Sequence, residues 1–264
     1  MPSDLFDRPK PIIAMAHLGP LPGAPGYDAV RGIDGLIEAV AADIHKLQEG
    51  GVDAIMFGNE GDRPYVLKAP VEGVAAMSAI VATLKPMLRV PFGVNYLWDA
   101  CATVALAVAT GASFAREVFT GVYASDMGLW QPDCAGALRL RAALGRPDLK
   151  LLFNVNAEFA GSLDDRSIER RAESAVFSSL ADVICVSGPL TGQPADRSEL
   201  SRVKAAVGVP VLANTGVTID NVAAILEVAD GCVIGTHFKE GGDTWSPVDG
   251  DRVRRFMERV AQVR

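Results

Sequence analysis

The chain has 264 residues, of which 49% are hydrophobic, and its 32 acidic and 25 basic side chains give a formal charge of −7. This composition is typical of a globular α/β protein rather than a disordered one. Because the chain is acidic and has no cluster of Lys and Arg, it argues against a nucleic-acid partner. We expect one domain over residues 1–264, a length that suits a single α/β barrel.

The N-terminal stretch MPSDLFDRPKP has no basic region followed by an apolar run, so we expect no signal peptide. The apolar stretch 100–112 is too short to span a membrane and is interpreted as a buried helix. The four cysteines lie far apart, which argues against a disulfide framework or a zinc cluster. We therefore expect a cytoplasmic homo-oligomer with no membrane span and no cofactor, and the sequence leaves a divalent metal open.

Short β-branched runs alternate with longer amphipathic segments along the whole chain. The predicted strands are residues 11–18, 52–59, 91–98, 113–119, 149–156, 181–188, 209–216 and 231–238. The predicted helices are residues 33–51, 70–88, 99–110, 133–144, 165–179, 196–206, 219–229 and 249–262. Eight such units without a linker predict a closed (β/α)8 TIM barrel. The alternative is an open Rossmann-type sheet, but the glycine fingerprint of that fold is absent.

Polar side chains stand at the carboxyl ends of the predicted strands, which in a parallel barrel form the active-site face. Such residues also cap strands that have no function, yet their recurrence on all the strands favours a site. We predict a substrate-binding role for Asn59, Glu60, Asn95, Arg116, Asn154, Asn156 and Lys239. Lys239 is the only lysine close after a strand end, which leaves a Schiff-base aldolase as an alternative.

Side-chain alternation refines this prediction for two strands. In the fifth strand, Asn154 and Asn156 share the parity of Leu152 and are expected to point into the barrel mouth. In the fourth strand, Arg116 and Glu117 are adjacent and cannot both face the mouth of a regular strand. The sequence leaves open which of the two does.

The loops after the sixth, seventh and eighth strands are rich in small and hydroxyl residues. In many barrels the loops after the last two strands bind a phosphate through backbone N–H groups, and small residues allow the close approach this needs. The predicted phosphate-binding residues are Ser187, Gly188, Asn214, Thr215, Gly216, Gly235 and Thr236. The alternative is that these glycines only serve the turns.

The candidate acid–base groups are His17, Glu117, Glu158 and His237, with the carboxylates Glu60 and Asp126 as further candidates, and no motif decides among the carboxylates. His17 and His237 end the first and last strands, which are neighbours in a closed barrel. Such a pair suits proton transfer or metal binding, and a purely structural role is the alternative. Serine-hydrolase, Walker and His-Glu-x-x-His motifs are absent, which argues against the commonest hydrolase, nucleotidase and zinc-protease mechanisms.

Several longer motifs occur in collinear order along nearly the whole chain. Among them are AMAHLGPLPGAPGY (14–27), GNEGDRPY (58–65), TGVYASDMG (120–128), VSGPLTG (186–192), NTGVTIDNV (214–222) and ADGCVIGTHFKEGG (229–242). Together they resemble the BtpA/SgcQ family. The resemblance implies a ribulose-phosphate-binding type of (β/α)8 barrel. It also implies a family named after a member needed for photosystem I accumulation, with other members similar to sugar-operon proteins of no settled reaction.

The chain departs from the pattern of that family in the middle of the barrel. Typical members carry Asp-Val-His followed by a Lys at the fifth strand, where this chain has Asn154-Val155-Asn156 and then Glu158. At the fourth strand they carry Arg-Val-Asn, where this chain has Arg116-Glu117-Val118. An acid–base role of the Asp/His pair therefore cannot be carried over. The departure suggests a divergent subgroup with a different substrate or with lost activity.

Two classes of function remain open. The first is an enzyme that acts on a phosphorylated sugar or nucleotide-like metabolite by acid–base chemistry, as an isomerase, epimerase or lyase, with hydrolysis of a ribosyl bond as a variant. The second, implied by the resemblance, is a non-catalytic assembly or regulatory factor related to photosystem I biogenesis. That role predicts a broad exposed apolar patch or a membrane-surface helix, and the sequence has no basic amphipathic helix of this kind.

Overall fold

Eight parallel strands close into a barrel in the computed structural model, which describes Phe6 and residues 8–264. The strands of the protein in chain order are β1 (Ile12–His17), β2 (Ala54–Gly58), β3 (Phe92–Asn95), β4 (Phe114–Glu117), β5 (Tyr123–Ser125), β6 (Gly128–Trp130), β7 (Lys150–Asn154), β8 (Ala160–Ser162), β9 (Val183–Val186), β10 (Val211–Ala213) and β11 (Gly231–Ile234). The barrel runs β1-β2-β3-β4-β7-β9-β10-β11 and closes back on β1. The predicted TIM barrel is confirmed, and each predicted strand contains one barrel strand.

One helix follows each barrel strand. They are α1 (Gly32–Glu49), α2 (Val71–Leu84), α3 (Ala100–Thr110), α4 (Cys134–Ala143), α5 (Ile168–Ser179), α6 (Arg197–Ala206), α7 (Val222–Leu226) and α8 (Gly250–Ala261). Side chains such as Asp99 and Ser167 accept backbone N–H bonds at the helix starts, which satisfies donors that a helix leaves unpaired. The predicted helix 219–229 is the least accurate, because only its middle is helical.

The apolar stretch 100–112 forms α3, with Val104, Leu106 and Ala107 fully buried, as the sequence predicted for a core helix. Among the helices of the described residues, none combines the length and the apolar character that crossing a bilayer requires. Residues 1–5 and 7, on which the expectation about a signal peptide partly rests, lie outside the described residues.

The core has two layers because alternate strand residues face opposite sides of the barrel wall. Met15, Met56, Phe114 and Leu152 belong to a cluster inside the barrel, and Phe6 packs edge-on against Phe114 with ring centroids 5.8 Å apart. The other parity forms a larger cluster between strands and helices, which includes Leu151, Phe153 and Val155 of the β7 region. The fifth predicted strand corresponds to β7, and its apolar residues face the two sides of the barrel wall as their alternation predicted.

A small antiparallel sheet, β6-β5-β8, stands apart from the barrel and was not predicted. Tyr123 and Trp130 of this sheet pack with Trp98 and Val118 in a separate buried cluster. Each strand has only three residues, too few to show alternation, and the β5–β8 pair joins distant parts of the chain. The turn Ser125–Gly128, with Gly128 at φ +99°, is the only local signal of the hairpin.

We expect Gly93→Ala to destabilise the barrel. A Cβ atom at Gly93 would lie 2.2 Å from the Phe114 ring on the neighbouring strand, so the interior would be overpacked. Overpacking of this kind costs about 1–3 kcal/mol, which urea unfolding measures. Gly208→Ala is the matched control, since no atom lies within 4 Å of its Cβ position, and equal stabilities of the two variants would contradict this account.

Candidate active site

A cavity of about 260 Å³ lies at the carboxyl ends of the barrel strands. The predicted residues that line it are His17, Glu60, Arg116, Glu158, Asn214, Thr215, Gly216, Gly235, Thr236 and His237. The predicted residues outside its lining are Asn59, Asn95, Glu117, Asn154, Asn156, Ser187, Gly188 and Lys239. The cavity lies just below the lower limit of the range of about 300 to 1,000 Å³ that is usual for ligand pockets.

Arg116, not Glu117, points into the barrel mouth. It shares the parity of Phe114, is 7% exposed, and donates from Nη1 to Asn214 Oδ1 at 2.8 Å and from Nη2 to Asn95 Oδ1. In the described part of the chain it has no ion-pair partner, and its Nε atom has no hydrogen-bond partner. A buried guanidinium held only by neutral amides keeps its positive charge available to an anion.

Asn214, which accepts from Arg116, belongs to a network that ends on Ser187. Asn214 and Asn154 donate to Ser187 Oγ at 2.8 and 3.1 Å. Asn156 bonds the backbone of Ser187 twice, since it donates to the carbonyl at 2.6 Å and accepts from the N–H at 2.9 Å. These side chains therefore hold one another across β7, β9 and β10, which explains why most of them do not line the cavity.

Glu117 lies behind the cavity wall and organises it. Its carboxylate accepts from Asn95 Nδ2 at 2.7 Å, from the N–H of Trp98 at 3.1 Å and from the N–H of Val118 at 2.7 Å. Burial raises the pKa of Glu117 to about 7, although these hydrogen bonds act in the opposite direction. Trp98 itself lines the cavity, so Glu117 affects the cavity through the residue that it holds.

His17 and Glu60 form a buried pair on the cavity floor, with Nε2 of His17 3.6 Å from Oε1 of Glu60. Burial, and then the charge of Lys239, lowers the pKa of His17 to about 3. Burial raises the pKa of Glu60 above its usual range. A Cβ atom at Gly58 would lie 2.4 Å from Glu60 Oε2, so this glycine makes room for the carboxyl group. The pair thus combines a neutral imidazole with a carboxyl group that keeps its proton to higher pH.

His237 holds a loop and is neutral. Its Nε2 accepts from the N–H of Ile219 at 3.2 Å, and Nη2 of Arg252 lies 3.3 Å from its Nδ1. Burial, and then Arg252, lowers the pKa of His237 to about 4. Since both ring nitrogens face N–H donors, protonation of this imidazole is disfavoured.

The end of the cavity near β10 and β11 is rich in unused donors. The backbone N–H groups of Gly216, Gly235 and Thr236 find no acceptor within the described residues. Arg252 lines the same end and donates from Nε to the carbonyl of His237 at 2.7 Å, with no carboxylate paired to it in the described chain. Backbone donors and an unpaired guanidinium together favour an anion.

The remaining predicted phosphate donors have other partners. The N–H of Gly188 donates to Thr215 Oγ1 at 2.5 Å, and that hydroxyl donates in turn to the carbonyl of Gln193 at 2.8 Å. A Cβ atom at Gly188 would lie 2.1 Å from the same carbonyl oxygen. Gly188 is therefore required by the packing of the loop, which is the structural alternative that the sequence left open.

Lys239 and Asn59 stabilise the loops around the cavity. Lys239 is buried and pairs with Asp43 of α1 at 2.9 Å, while the other oxygen of Asp43 accepts from the N–H of Val248 at 2.8 Å. Asn59 accepts from the N–H of Leu97 at 2.7 Å. An ammonium group that is buried in an ion pair away from the cavity is badly placed for Schiff-base chemistry.

One wall of the cavity, which is apolar, is not predicted from the sequence. It consists of Tyr65, Leu97, Trp98 and Phe159, and the Tyr65 ring lies 5.9 Å from Trp98 and 6.4 Å from Phe159. Trp98 ends a predicted strand, but the polar pattern that marks the active-site face does not mark an aromatic residue there. Tyr65 and Phe159 lie in loops without a periodic pattern. Within the described chain, no three His, Cys, Asp or Glu side chains are grouped closely enough to hold a metal ion.

The sequence model of the BtpA family matches residues 8–262. The chain is 46% identical over 262 residues to the protein SgcQ of Escherichia coli (strain K12), covering 99% of this chain and 98% of that protein. It is 32% identical to the photosystem I biogenesis protein BtpA of Synechocystis sp. (strain PCC 6803), covering 97% and 90% of the two chains. These relatives match the chain over almost its full length.

Two solved structures are similar in fold. Thiamine phosphate pyrophosphorylase from Pyrococcus furiosus matches with a TM-score of 0.59 and 17% identity over 96% of each chain. (S)-3-O-geranylgeranylglyceryl phosphate synthase from Thermoplasma acidophilum, in complex with sn-glycerol-1-phosphate, matches with a TM-score of 0.59 and 15% identity over 99% of this chain and 97% of that chain. At these identities the likeness concerns the barrel alone.

We expect the stability difference between the wild-type protein and His17→Asn to depend on pH. His17 stays neutral in the folded state down to about pH 3, whereas the unfolded chain takes up a proton near the ordinary value of 6.5. Its contribution to stability is therefore present above pH 6.5 and is lost as the pH falls. The wild-type advantage should decrease by about 1 kcal/mol per unit between pH 6 and pH 4, measured by urea unfolding. A difference that does not change with pH would contradict a neutral, buried His17.

Proposed function

The chain belongs to the BtpA family, and we propose that it is an enzyme that transfers a proton on a small phosphorylated metabolite. The observation that carries this proposal is that one cavity contains both donors for an anion and a pair of acid–base groups. Gly216 and Gly235 offer N–H groups without an acceptor among the described residues, and Arg252 adds a guanidinium that has no carboxylate partner there. The pair of His17 and Glu60 lies beside them, since a Cβ atom at Gly235 would be 3.1 Å from Nε2 of His17. A ligand anchored by its phosphate at this end of the cavity, the phosphate end, brings its reactive carbons next to His17 and Glu60.

The phosphate end is supported by its position in the barrel. Barrel enzymes frequently bind phosphate at the loops after the last two strands, which here are β10 and β11. The similar barrel of the glyceryl phosphate synthase is named as a complex with a phosphorylated glycerol, a ligand that carries a phosphate group as the proposed one does. Of the predicted phosphate-binding residues, Gly216, Gly235 and Thr236 bind the anion through their N–H groups, and Arg252 adds charge.

The chemistry is assigned to Glu60 with His17 and Arg116. A general acid or base works best when its pKa is near the working pH, and burial moves the pKa of Glu60 upward in that direction. His17 is neutral and donates a hydrogen bond to a substrate oxygen, while the Arg116 guanidinium stabilises the negative charge that develops there. Removal and return of a proton beside a carbonyl group is the step shared by isomerases, epimerases and some lyases.

Other predicted residues have supporting roles in this proposal. Glu117 positions Trp98 in the apolar wall by accepting its N–H, and His237 positions the loop at Ile219 in the same way. Glu158 accepts from Thr191 Oγ1 at 2.6 Å and lines the same cavity, so it is the second candidate carboxylate. A cytoplasmic location and a homo-oligomeric state stay predictions.

We expect Glu60→Gln to lower the rate of proton exchange about 10²- to 10⁴-fold, the usual contribution of a general acid or base. The measurement is deuterium incorporation from D₂O into a panel of phosphosugars, followed by NMR. Glu158→Gln is the comparison variant for the second candidate carboxylate and should lose less of the rate than Glu60→Gln.

A larger loss in Glu158→Gln than in Glu60→Gln would move the role to Glu158. Ligand binding by the wild-type protein without exchange in any probe would contradict the enzyme proposal. It would favour the assembly or regulatory function that the name of the Synechocystis relative suggests.

We expect Arg252→Gln to weaken the binding of ribose 5-phosphate by about tenfold, because a charged hydrogen bond to the phosphate is lost. Isothermal titration calorimetry gives the affinity. The matched control is Arg254→Gln on the same helix, since Arg254 is exposed and pairs with Asp251. Equal affinities in the two variants would contradict the proposed phosphate end.

A further inference from the structure

The aromatic wall, defined as Tyr65, Leu97, Trp98 and Phe159, faces the cavity together with the carboxyl groups of Glu60 and Glu158. The wall is held in place by hydrogen bonds, one from the side chain of Tyr65 and one each from the backbone of Trp98 and Phe159. The Tyr65 hydroxyl donates to the carbonyl of Glu60 at 3.1 Å. The N–H of Trp98 donates to Glu117 at 3.1 Å, and the N–H of Phe159 donates to the carbonyl of Pro189 at 3.2 Å.

Two residues of this wall adopt a backbone conformation that is rare for bulky side chains. Trp98 has φ +74° and Phe159 has φ +55°, both in the left-handed region that favours glycine. Such conformations cost energy, persist only where the surroundings impose them, and cluster at ligand sites. Both turn their side chains to the same cavity, which indicates that the wall contacts a ligand.

The groups that normally bind the hydroxyls of a bare sugar are engaged elsewhere. Asn95 and Asn154 bond their neighbours and lie outside the cavity lining. The hydroxyl of Thr215 bonds Gly188 and Gln193, and that of Thr191 bonds Glu158. Apart from the carboxyl groups of Glu60 and Glu158, the aromatic wall offers few partners for the several hydroxyls of a sugar, and a buried hydroxyl without a partner is costly. The wall is better matched to a flat ring that needs few hydrogen bonds.

We infer that the ligand carries a planar heteroaromatic ring, as a nucleotide does, which packs on the aromatic wall while its phosphate occupies the end near Gly235 and Arg252. This inference rests on the proposed function for the phosphate end only. The Glu158 carboxylate, which Thr191 leaves with free acceptor capacity, takes an N–H from the edge of the ring. The ring then packs on the aromatic wall while the phosphate lies at the donors of Gly235 and Arg252. His17 adjoins this phosphate site, since a Cβ atom at Gly235 would be 3.1 Å from Nε2 of His17.

The test compares Phe159→Asn with Leu180→Asn. Asparagine tolerates the left-handed conformation, so Phe159→Asn removes the ring without adding backbone strain. Leu180 has φ +57°, is exposed and lies outside the cavity lining, which makes it a matched control for the backbone change. The affinities of AMP, UMP, ribose 5-phosphate and adenosine are measured by isothermal titration calorimetry for both variants and the wild-type protein.

We expect the wild-type protein to bind AMP or UMP at least about tenfold more tightly than ribose 5-phosphate, since stacking of a base on an aromatic ring is of this size. Phe159→Asn should reduce that ratio to below about threefold and leave the affinity for ribose 5-phosphate unchanged. Leu180→Asn should change neither affinity.

Three results would overturn the inference: wild-type affinities for ribose 5-phosphate as high as for the nucleotides, an equal loss of both in Phe159→Asn, or no nucleotide binding at all. A different result would contradict the proposed phosphate end. If adenosine binds as tightly as AMP and loses affinity in Phe159→Asn, the ring site stands and the phosphate site does not.

Discussion

The position of one buried charge organises the mouth of this barrel. Arg116 is 7% exposed and has no ion-pair partner among the described residues, so its guanidinium must be satisfied by neutral acceptors. The amide oxygens of Asn95 and Asn214 supply them, and each amide nitrogen is then fixed by a further acceptor, Glu117 or Ser187. Removal of one amide would leave a largely buried, charged donor without its acceptor, which costs more than the bond contributes. The strands β3, β4, β9 and β10 are thereby held in one arrangement around the cavity.

This constraint separates the polar residues into two groups. Asn154, Asn156 and Ser187 use their hydrogen bonds on one another, and so they stiffen the barrel mouth and offer little to a ligand. Other groups are left open within the described part of the chain: the N–H groups of Gly216 and Gly235 find no acceptor there, and the guanidinium of Arg252 has no carboxylate partner. The carboxyl group of Glu60 lies on the floor of the same cavity. An enzyme site needs both properties, because preorganised groups stabilise a transition state only if the surrounding structure holds them still.

The glycines of the mouth show why residue type alone does not reveal a role. Gly58 gives space to the Glu60 carboxyl group, and Gly188 allows its loop to pack on the Gln193 carbonyl. Gly216, at φ +62°, packs against Pro194 and lines the cavity, and its N–H finds no acceptor among the described residues. All three positions need the absence of a side chain, each for a different physical reason, and the residue type alone does not tell these reasons apart.

The sequence by itself determined the barrel, because alternation within strands and the 3.6-residue spacing within helices are local patterns that hydrophobic burial imposes on every unit. It also determined which residues stand at the active-site face, since the ends of parallel strands meet there. Only the tertiary structure decided that Arg116 rather than Glu117 faces the mouth, and that the aromatic wall comes from Tyr65, Trp98 and Phe159. The partners of Arg116 lie 21 and 98 residues away. Contacts between such distant residues leave no periodic trace in a single chain, so their geometry follows from closure of the barrel alone.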